Sequence, residues 1–177
     1  MITTSDYIKC YNNIVDQETC KNIINNINLD NFKRATTRDG DESSLRNCYQ
    51  NKLNNDFDKK IYNCVGKVLQ KYANDFRYFY TGLTTEDTGY THLIYKGSEK
   101  GEYKTHIDHY DLNPRVLSCS FILNEDYDGG DFSFFEGRHV VKKLAGSVVV
   151  FPSNFCFPHA VTPVTNGDRH AIITWIH

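Results

Sequence analysis

The residues best placed to do chemistry lie in Tyr103-Lys104-Thr105-His106-Ile107-Asp108. On a β-strand, side chains two positions apart share a face, so His106 and Asp108 would present an imidazole and a carboxylate together while Ile107 turns away. A second imidazole is available in Phe157-Pro158-His159-Ala160-Val161. It reaches the first pair only if the fold lays another strand alongside. Two imidazoles and one carboxylate, with further coordination positions open, make the facial triad that holds non-haem Fe(II). His-x-Asp taken alone is also the pattern of two surface polar residues, so its meaning depends on the downstream chain.

Beyond His159 the chain runs Ala160-Val161-Thr162-Pro163-Val164-Thr165-Asn166-Gly167-Asp168-Arg169-His170. A turn at Asn166-Gly167 would close a hairpin and return Arg169 along the strand beside His159. An arginine carried into a barrel interior requires an anionic partner, because an unpaired buried charge is costly. A small diacid, bound to the metal at one end and in bidentate fashion to Arg169 at the other, would meet both requirements. The other reading of Arg169 is a surface arginine at a strand start.

These side chains need a scaffold. Asp16 can cap a helix over 16–29, with Glu18 in its first turn and Cys20, Ile23, Ile24 and Ile27 at helical spacing. A second helix spans Asn55 to Asp75, its stripe formed by Phe57, Ile61, Val65, Val68, Leu69 and Tyr72. Nothing on that stripe is catalytic in type, so its role is to pack against a sheet. Tyr7 to Tyr11 reads as a short strand, and 33–51 as a polar loop with one short strand over Leu45 to Tyr49. From Phe76 onward the chain becomes a series of short apolar or alternating runs: 76–81, 91–95, 116–123, 131–135, 147–151 and 170–176. Helices first and strands afterwards predict an α+β protein, a jelly roll buttressed by N-terminal helices. We expect a single domain over 1–177, with 1–75 as mainly helical support and 76–177 as the jelly-roll core.

Composition narrows the function classes. The chain has 177 residues, 40% hydrophobic and 14% aromatic, which suits a packed core rather than disorder. A net charge of −2, with charges well mixed, gives no reason to expect nucleic acid or an anionic membrane as partner. No export signal or apolar run long enough to span a bilayer is seen, and the expectation is a cytoplasmic protein. Six cysteines lie at 10, 20, 48, 64, 119 and 156 without metal-knuckle spacing, and read as buried free thiols.

Taken in order, Tyr95, Tyr103-x-x-His106-x-Asp108, Arg115-x-Leu117-Ser118, Leu123-Asn124-x-Asp126-Tyr127-x-Gly129-Gly130-Asp131, Gly146-x-x-Val149-x-Phe151 and His159-x-Val161-x-Pro163-Val164-x-x-Gly167-x-Arg169, with Trp175, resemble the prolyl 4-hydroxylase group of Fe(II)/2-oxoglutarate dioxygenases. The resemblance is dense from Tyr95 to Trp175 and looser over the N-terminal helices. It implies a double-stranded β-helix, with Fe(II) on His106, Asp108 and His159 and the distal carboxylate of 2-oxoglutarate on Arg169. O2 and ascorbate complete the implied cofactors, and a proline-containing peptide or protein is the implied substrate, with succinate and CO2 released. In the collagen-type and plant-type members a lysine commonly holds the Arg169 position, while the oxygen-sensing branch uses arginine. That branch has a tyrosine where this chain has Ile122. Tyr95 and Tyr103 would line the cosubstrate pocket and the approach to the iron, or else pack the barrel. Trp175 occupies the place of a core tryptophan, Arg115 would reach substrate or cap a strand, and His109 is a candidate to support the ligands. His92, His139, His170 and His177 read as solvent-facing or hydrogen-bonding residues.

Asp108 itself favours hydroxylation, since halogenating relatives have a small residue there. The same cofactors acting on a free amino acid or another small molecule, and a non-catalytic metal-binding jelly roll, are the competing readings. A nucleic-acid demethylase of the AlkB type would want a second arginine where Trp175 and Ile176 stand, and a cupin would want His-x-His. Segments 84–91 and 126–137 have the composition of loops that close over a substrate.

Overall fold

In the computed structural model, which describes residues 2–37, 44–80, 86–109, 112 and 114–177, the chain begins with a one-turn 3-10 helix at Thr4–Tyr7. Strand β1 (Lys9–Tyr11) and helix α1 (Gln17–Asn25) come next. Asp16 caps α1 as its sequence predicts, accepting from the Thr19 amide at 2.7 Å. The helix stops short of the expected Leu29. Asn26 folds its side chain and its amide back onto the Asn22 carbonyl, which ends the ladder there.

Two short strands, β2 (Lys33–Arg34) and β3 (Arg46–Asn47), precede β4 (Tyr49–Lys52) and α2 (Asn55–Asp75). The single strand expected over Leu45 to Tyr49 is therefore two, broken at Cys48, and the halves join different sheets. The polar segment containing Gly40 lies outside the described residues. Helix α2 has the predicted bounds, capped by Asn54. The strand expected over 76–81 is instead a 3-10 turn at Arg77–Tyr80. Phe76 donates its amide to the Tyr72 carbonyl and packs its ring against Tyr7 and Tyr72, so this aromatic run finishes the helix and finds no strand partner among the described residues.

The remaining strands are β5 (Thr91–Lys96), β6 (Glu102–His106), β7 (Leu117–Ile122), β8 (Asp128–Gly129), β9 (Phe132–Phe134), β10 (His139–Val140), β11 (Val148–Pro152), β12 (His159–Val161), β13 (Val164–Asn166) and β14 (Asp168–Ile176). A seven-stranded sheet runs β1-β11-β7-β14-β5-β4-β2 and a five-stranded sheet β10-β9-β12-β6-β3, with a small β13-β8 pair beside them. Every pairing among the described strands is antiparallel. The double-sheet architecture is that of the jelly roll.

Alternation along the large sheet separates its two faces. Leu117, Cys119 and Phe121 of β7, Val148 and Val150 of β11, and Ile172 of β14 meet Ile23 of α1 and Ile61, Val65, Val68 and Tyr72 of α2 in one buried cluster. Each fully buried aliphatic side chain there contributes about 1.5–3 kcal/mol relative to exposure. The opposite face sends Leu93, Tyr95, Val149 and Phe151 against Phe132, Phe134 and Val161 of the small sheet.

β14 does not return beside β12 as the hairpin expectation had it. β12 is already flanked by β6 and β9, and Val164–Asn166 pairs with β8. Gly167 then turns the chain into the large sheet with φ +69, where an added Cβ would lie 2.8 Å from the Asp126 carbonyl. The Asn124 side chain grips β14 at its start, donating to the Asp168 carbonyl and accepting from the His170 amide, both at 2.8 Å. Segment 126–137 is no open lid either: it contains β8 and β9, and Phe134 is wholly buried because its ring lies against Phe151. Of 84–91, residues 84 and 85 lie outside the described set. Among the described residues no helix is long and apolar enough to cross a membrane.

Candidate active site

A cavity of about 420 Å³ opens between the two sheets. His106 ends β6 and His159 begins β12, and the antiparallel register sets these two residues directly opposite one another. Asp108 lies two residues beyond the strand end, with Ile107 turned outward at 40% exposure. One donor atom from each of His106, Asp108 and His159 lies within 4.8 Å of the others. His106 Nε2 is 3.6 Å from Asp108 Oδ1, and His159 Nε2 is 3.6 Å from Oδ2.

Both imidazoles are oriented the same way. His106 Nδ1 donates to the Lys104 carbonyl at 2.8 Å and His159 Nδ1 to the Phe157 carbonyl at 3.0 Å. A carbonyl can only accept, so each ring keeps its proton on Nδ1 and leaves the Nε2 lone pair facing Asp108. Burial and the neighbouring His159 push the His106 pKa down to about 3, which keeps it neutral and able to ligate. Burial alone would raise Asp108, but His159, His106 and the Ser118 hydroxyl together hold it below the usual carboxylate range. Ser118 Oγ donates to Asp108 Oδ2 at 2.7 Å and is itself 2.8 Å from Ser153 Oγ. Phe132, Phe134 and Phe151 wall in the His159 ring at centroid distances of 4.8–5.5 Å. Two imidazole Nε2 atoms turned toward one ionised carboxylate suit a ferrous ion.

Across the cavity stands Arg169, 3% exposed and paired in register with Tyr95. Its guanidinium carbon lies 5.0 Å from the centre of the Tyr95 ring. Among the described residues, Arg169 Nε is buried with no hydrogen-bond partner, and no carboxylate pairs with this cation. Such a group fits an incoming carboxylate and little else. Tyr95 and Tyr103 both line the cavity, and burial pushes both hydroxyls upward, so they stay neutral. The Tyr103 ring stacks on His106 at 3.4 Å.

The other expected residues separate. Trp175 lines the cavity, with the Arg115 guanidinium carbon 3.5 Å above its ring. Arg115 also donates to the Asp108 backbone carbonyl at 3.1 Å, so it braces the loop that carries the carboxylate. His109 is exposed at the rim. His92 and His170 are buried rather than solvent-facing, hydrogen-bonded to each other at 3.1 Å. Sequence reasoning missed Arg46, which lines the cavity from β3; its only signal was a basic residue in an otherwise strand-like stretch. All six cysteines are free as expected, but only Cys20, Cys48, Cys64 and Cys119 are buried; Cys10 and Cys156 are exposed.

The profile of the 2OG-Fe(II) oxygenase superfamily matches residues 90–177, from β5 to the end of the chain, and so takes in the triad and Arg169. The chain belongs to the 2OG-Fe(II) oxygenase superfamily. Within the superfamily it is 38% identical over 77 residues to a PKHD-type hydroxylase of Psychrobacter sp. (strain PRwf-1), covering 41% of this chain and 29% of that one. A PKHD-type hydroxylase of Alteromonas mediterranea is 48% identical over 91 residues, 45% of this chain and 39% of that one. The chain thus spans under half the length of these relatives. Among solved folds, a prolyl hydroxylase from Trichoplax adhaerens, in complex with a hypoxia inducible factor peptide fragment, superposes with a TM-score of 0.79 at 18% identity, over 97% of this chain and 84% of that one. A Pseudomonas putida prolyl-4-hydroxylase gives 0.72 at 19% identity, over 97% and 92%. These superpositions establish the jelly-roll fold of the oxygenase.

Proposed function

We propose that this chain is a 2-oxoglutarate- and Fe(II)-dependent dioxygenase that hydroxylates a prolyl residue in a peptide or protein, with ascorbate as supporting reductant. His106, Asp108 and His159 would hold the iron, and Arg169 the distal carboxylate of 2-oxoglutarate. The observation that carries this reading is the pairing of a two-imidazole, one-carboxylate cluster with a buried guanidinium that no carboxylate pairs among the described residues, across one cavity. The named PKHD-type and prolyl hydroxylase relatives support the choice of a prolyl substrate.

When bound, Fe(II) and 2-oxoglutarate supply an oxidant from O2, with succinate and CO2 released and one oxygen atom inserted into a substrate C–H bond. The protein's part is positional. Backbone carbonyls at Lys104 and Phe157 fix both imidazole tautomers, so no proton must leave before a metal enters. Ser118 holds one Asp108 oxygen and Arg115 the Asp108 backbone, limiting the carboxylate to one orientation. Arg169, reaching in from the opposite sheet, sets how far from the triad a diacid can lie. The phenylalanines around His159 exclude water from that side.

The test is incubation with Fe(II), ascorbate and 2-oxoglutarate, with and without proline-rich peptides, tracking succinate and a one-oxygen mass gain on the peptide. Peptide-stimulated succinate with proline oxidation, lost in Asp108→Ala, is the expected result. Succinate without peptide oxidation would move the substrate to a free amino acid or other small molecule.

A further inference from the structure

Among the described residues the charge of the cavity does not balance: three arginines, Arg46, Arg115 and Arg169, line it against one carboxylate, Asp108. A bound ferrous ion would add two more positive charges. 2-Oxoglutarate brings two carboxylates, one for Arg169 and one, with its keto group, for the metal. Arg115 is engaged with the Asp108 carbonyl and the Trp175 ring. That leaves Arg46.

Arg46 sits on β3, the edge strand of the small sheet, opposite Tyr103 in register. Its guanidinium carbon lies 4.8 Å from the centre of the Tyr103 ring, the ring that stacks on His106, so one aromatic ring contacts both this cation and a triad imidazole. Nη1 donates to the Thr36 carbonyl at 3.1 Å, while Nε is buried with no hydrogen-bond partner among the described residues. No ion pair to Arg46 occurs among them either. The ionisable groups nearest it, Cys48, Tyr95 and Tyr103, are kept protonated by burial and offer no counter-charge. Arg46 is half-buried, with its Nε wholly so, and a guanidinium supported on a ring at the wall of a cavity is a receptor for a carboxylate.

We propose that Arg46 receives a carboxylate carried by the substrate, and that it selects substrates with an anionic group close to the carbon that reacts. This rests on the dioxygenase reading, which assigns both carboxylates of 2-oxoglutarate elsewhere. The carboxylate has two possible sources, an acidic side chain beside the proline or the free α-carboxylate of a terminal or single amino acid, and the experiment separates them.

Trp175, the one tryptophan in the chain, lines the same cavity and reports its occupancy by fluorescence. Protein loaded with Mn(II) and 2-oxoglutarate is titrated with two matched pairs: pentapeptides with Pro-Glu against Pro-Gln, and peptides ending in free proline against prolinamide. The expected result is that the anionic member of at least one pair binds about tenfold tighter. That preference disappears in Arg46→Gln and partly returns in Arg46→Lys, while 2-oxoglutarate affinity, titrated separately, stays at the wild-type value. The pair that discriminates identifies the source. Equal binding within both pairs, absence of binding by all four peptides, or weakened 2-oxoglutarate binding in Arg46→Gln would overturn the proposal. Succinate release by the Fe(II)-loaded wild type is measured in parallel. Its absence alongside an intact anionic preference would remove the dioxygenase reading while leaving Arg46 as a carboxylate receptor.

Discussion

Two pairs of histidines meet inside this molecule, all buried but the half-buried His106, and they teach different things about the same side chain. His106 and His159 face each other across adjacent strands of the small sheet, with the Asp108 carboxylate 3.6 Å from each. His92 and His170 face each other across adjacent strands of the large sheet, 3.1 Å apart, with the edge of the Phe32 ring against His92. Burial lowers the pKa of both His106 and His92 to about 3, so protonation does not distinguish these two rings. The difference lies in what the second nitrogen does. In the first pair each Nδ1 is fixed by a backbone carbonyl and Nε2 is left for a ligand. In the second, one imidazole satisfies the other, and no third metal-ligating group joins them among the described residues.

The comparison is broken most severely by removing the carboxylate. Asp108→Ala should abolish metal-dependent succinate formation and weaken Mn(II) binding by more than about 100-fold, beyond the range seen for outlying partners of metal ligands. Isothermal titration with Mn(II) checks this, and His92→Gln in the same assay should bind metal like the wild type. Next in size is Arg169→Gln. Removing a buried cation from its carboxylate costs about 2–5 kcal/mol, so 2-oxoglutarate affinity should fall by at least about 30-fold with metal affinity unchanged. Ser118→Ala takes away one hydrogen bond to Asp108 and should cost about tenfold in metal affinity.

The remaining effect belongs to the second pair and is read as stability. The folded protein keeps His92 neutral down to about pH 3, and holds His170 low as well, whereas an unfolded chain protonates histidine near pH 6.5. Unfolding therefore takes up protons below pH 6.5, and stability falls as the pH drops through that window, by at most about 1.4 kcal/mol per pH unit for each histidine. His92→Gln should flatten the acid limb of urea-denaturation midpoints measured from pH 7 to 4.5. An unchanged acid limb would place the sensitivity in other groups.

The contrast also explains what was legible in the sequence. His106, Asp108 and His159 could be read because period-two alternation and a short downstream motif specify both ligand type and face. The fold class was readable from the change of texture after α2, and α2 itself from an uninterrupted stripe; its cap, Asn54, came from the structure. The partner of β14 was not readable. Nothing local says that β12 is already flanked on both sides, and the course of the chain after Pro163 depends on β8, a distant two-residue strand. Arg46 escaped for a similar reason, since the break at Cys48 separates two sheets and leaves no mark in hydropathy. The aromatic run after Phe76 has strand-like composition, yet its rings are used to close off the end of a helix.

Asn124 holds the two residues flanking Arg169 by their backbones. Along β14, Arg169 looks into the cavity and its neighbour His170 looks the other way, toward His92. A slip of that strand by one position would exchange them, because alternation reverses every side chain at once. His106 and His159 belong to the other sheet. Under the proposed function, such a slip would withdraw the anchor for 2-oxoglutarate while leaving both imidazoles in place, and the two hydrogen bonds of Asn124 hold β14 against it.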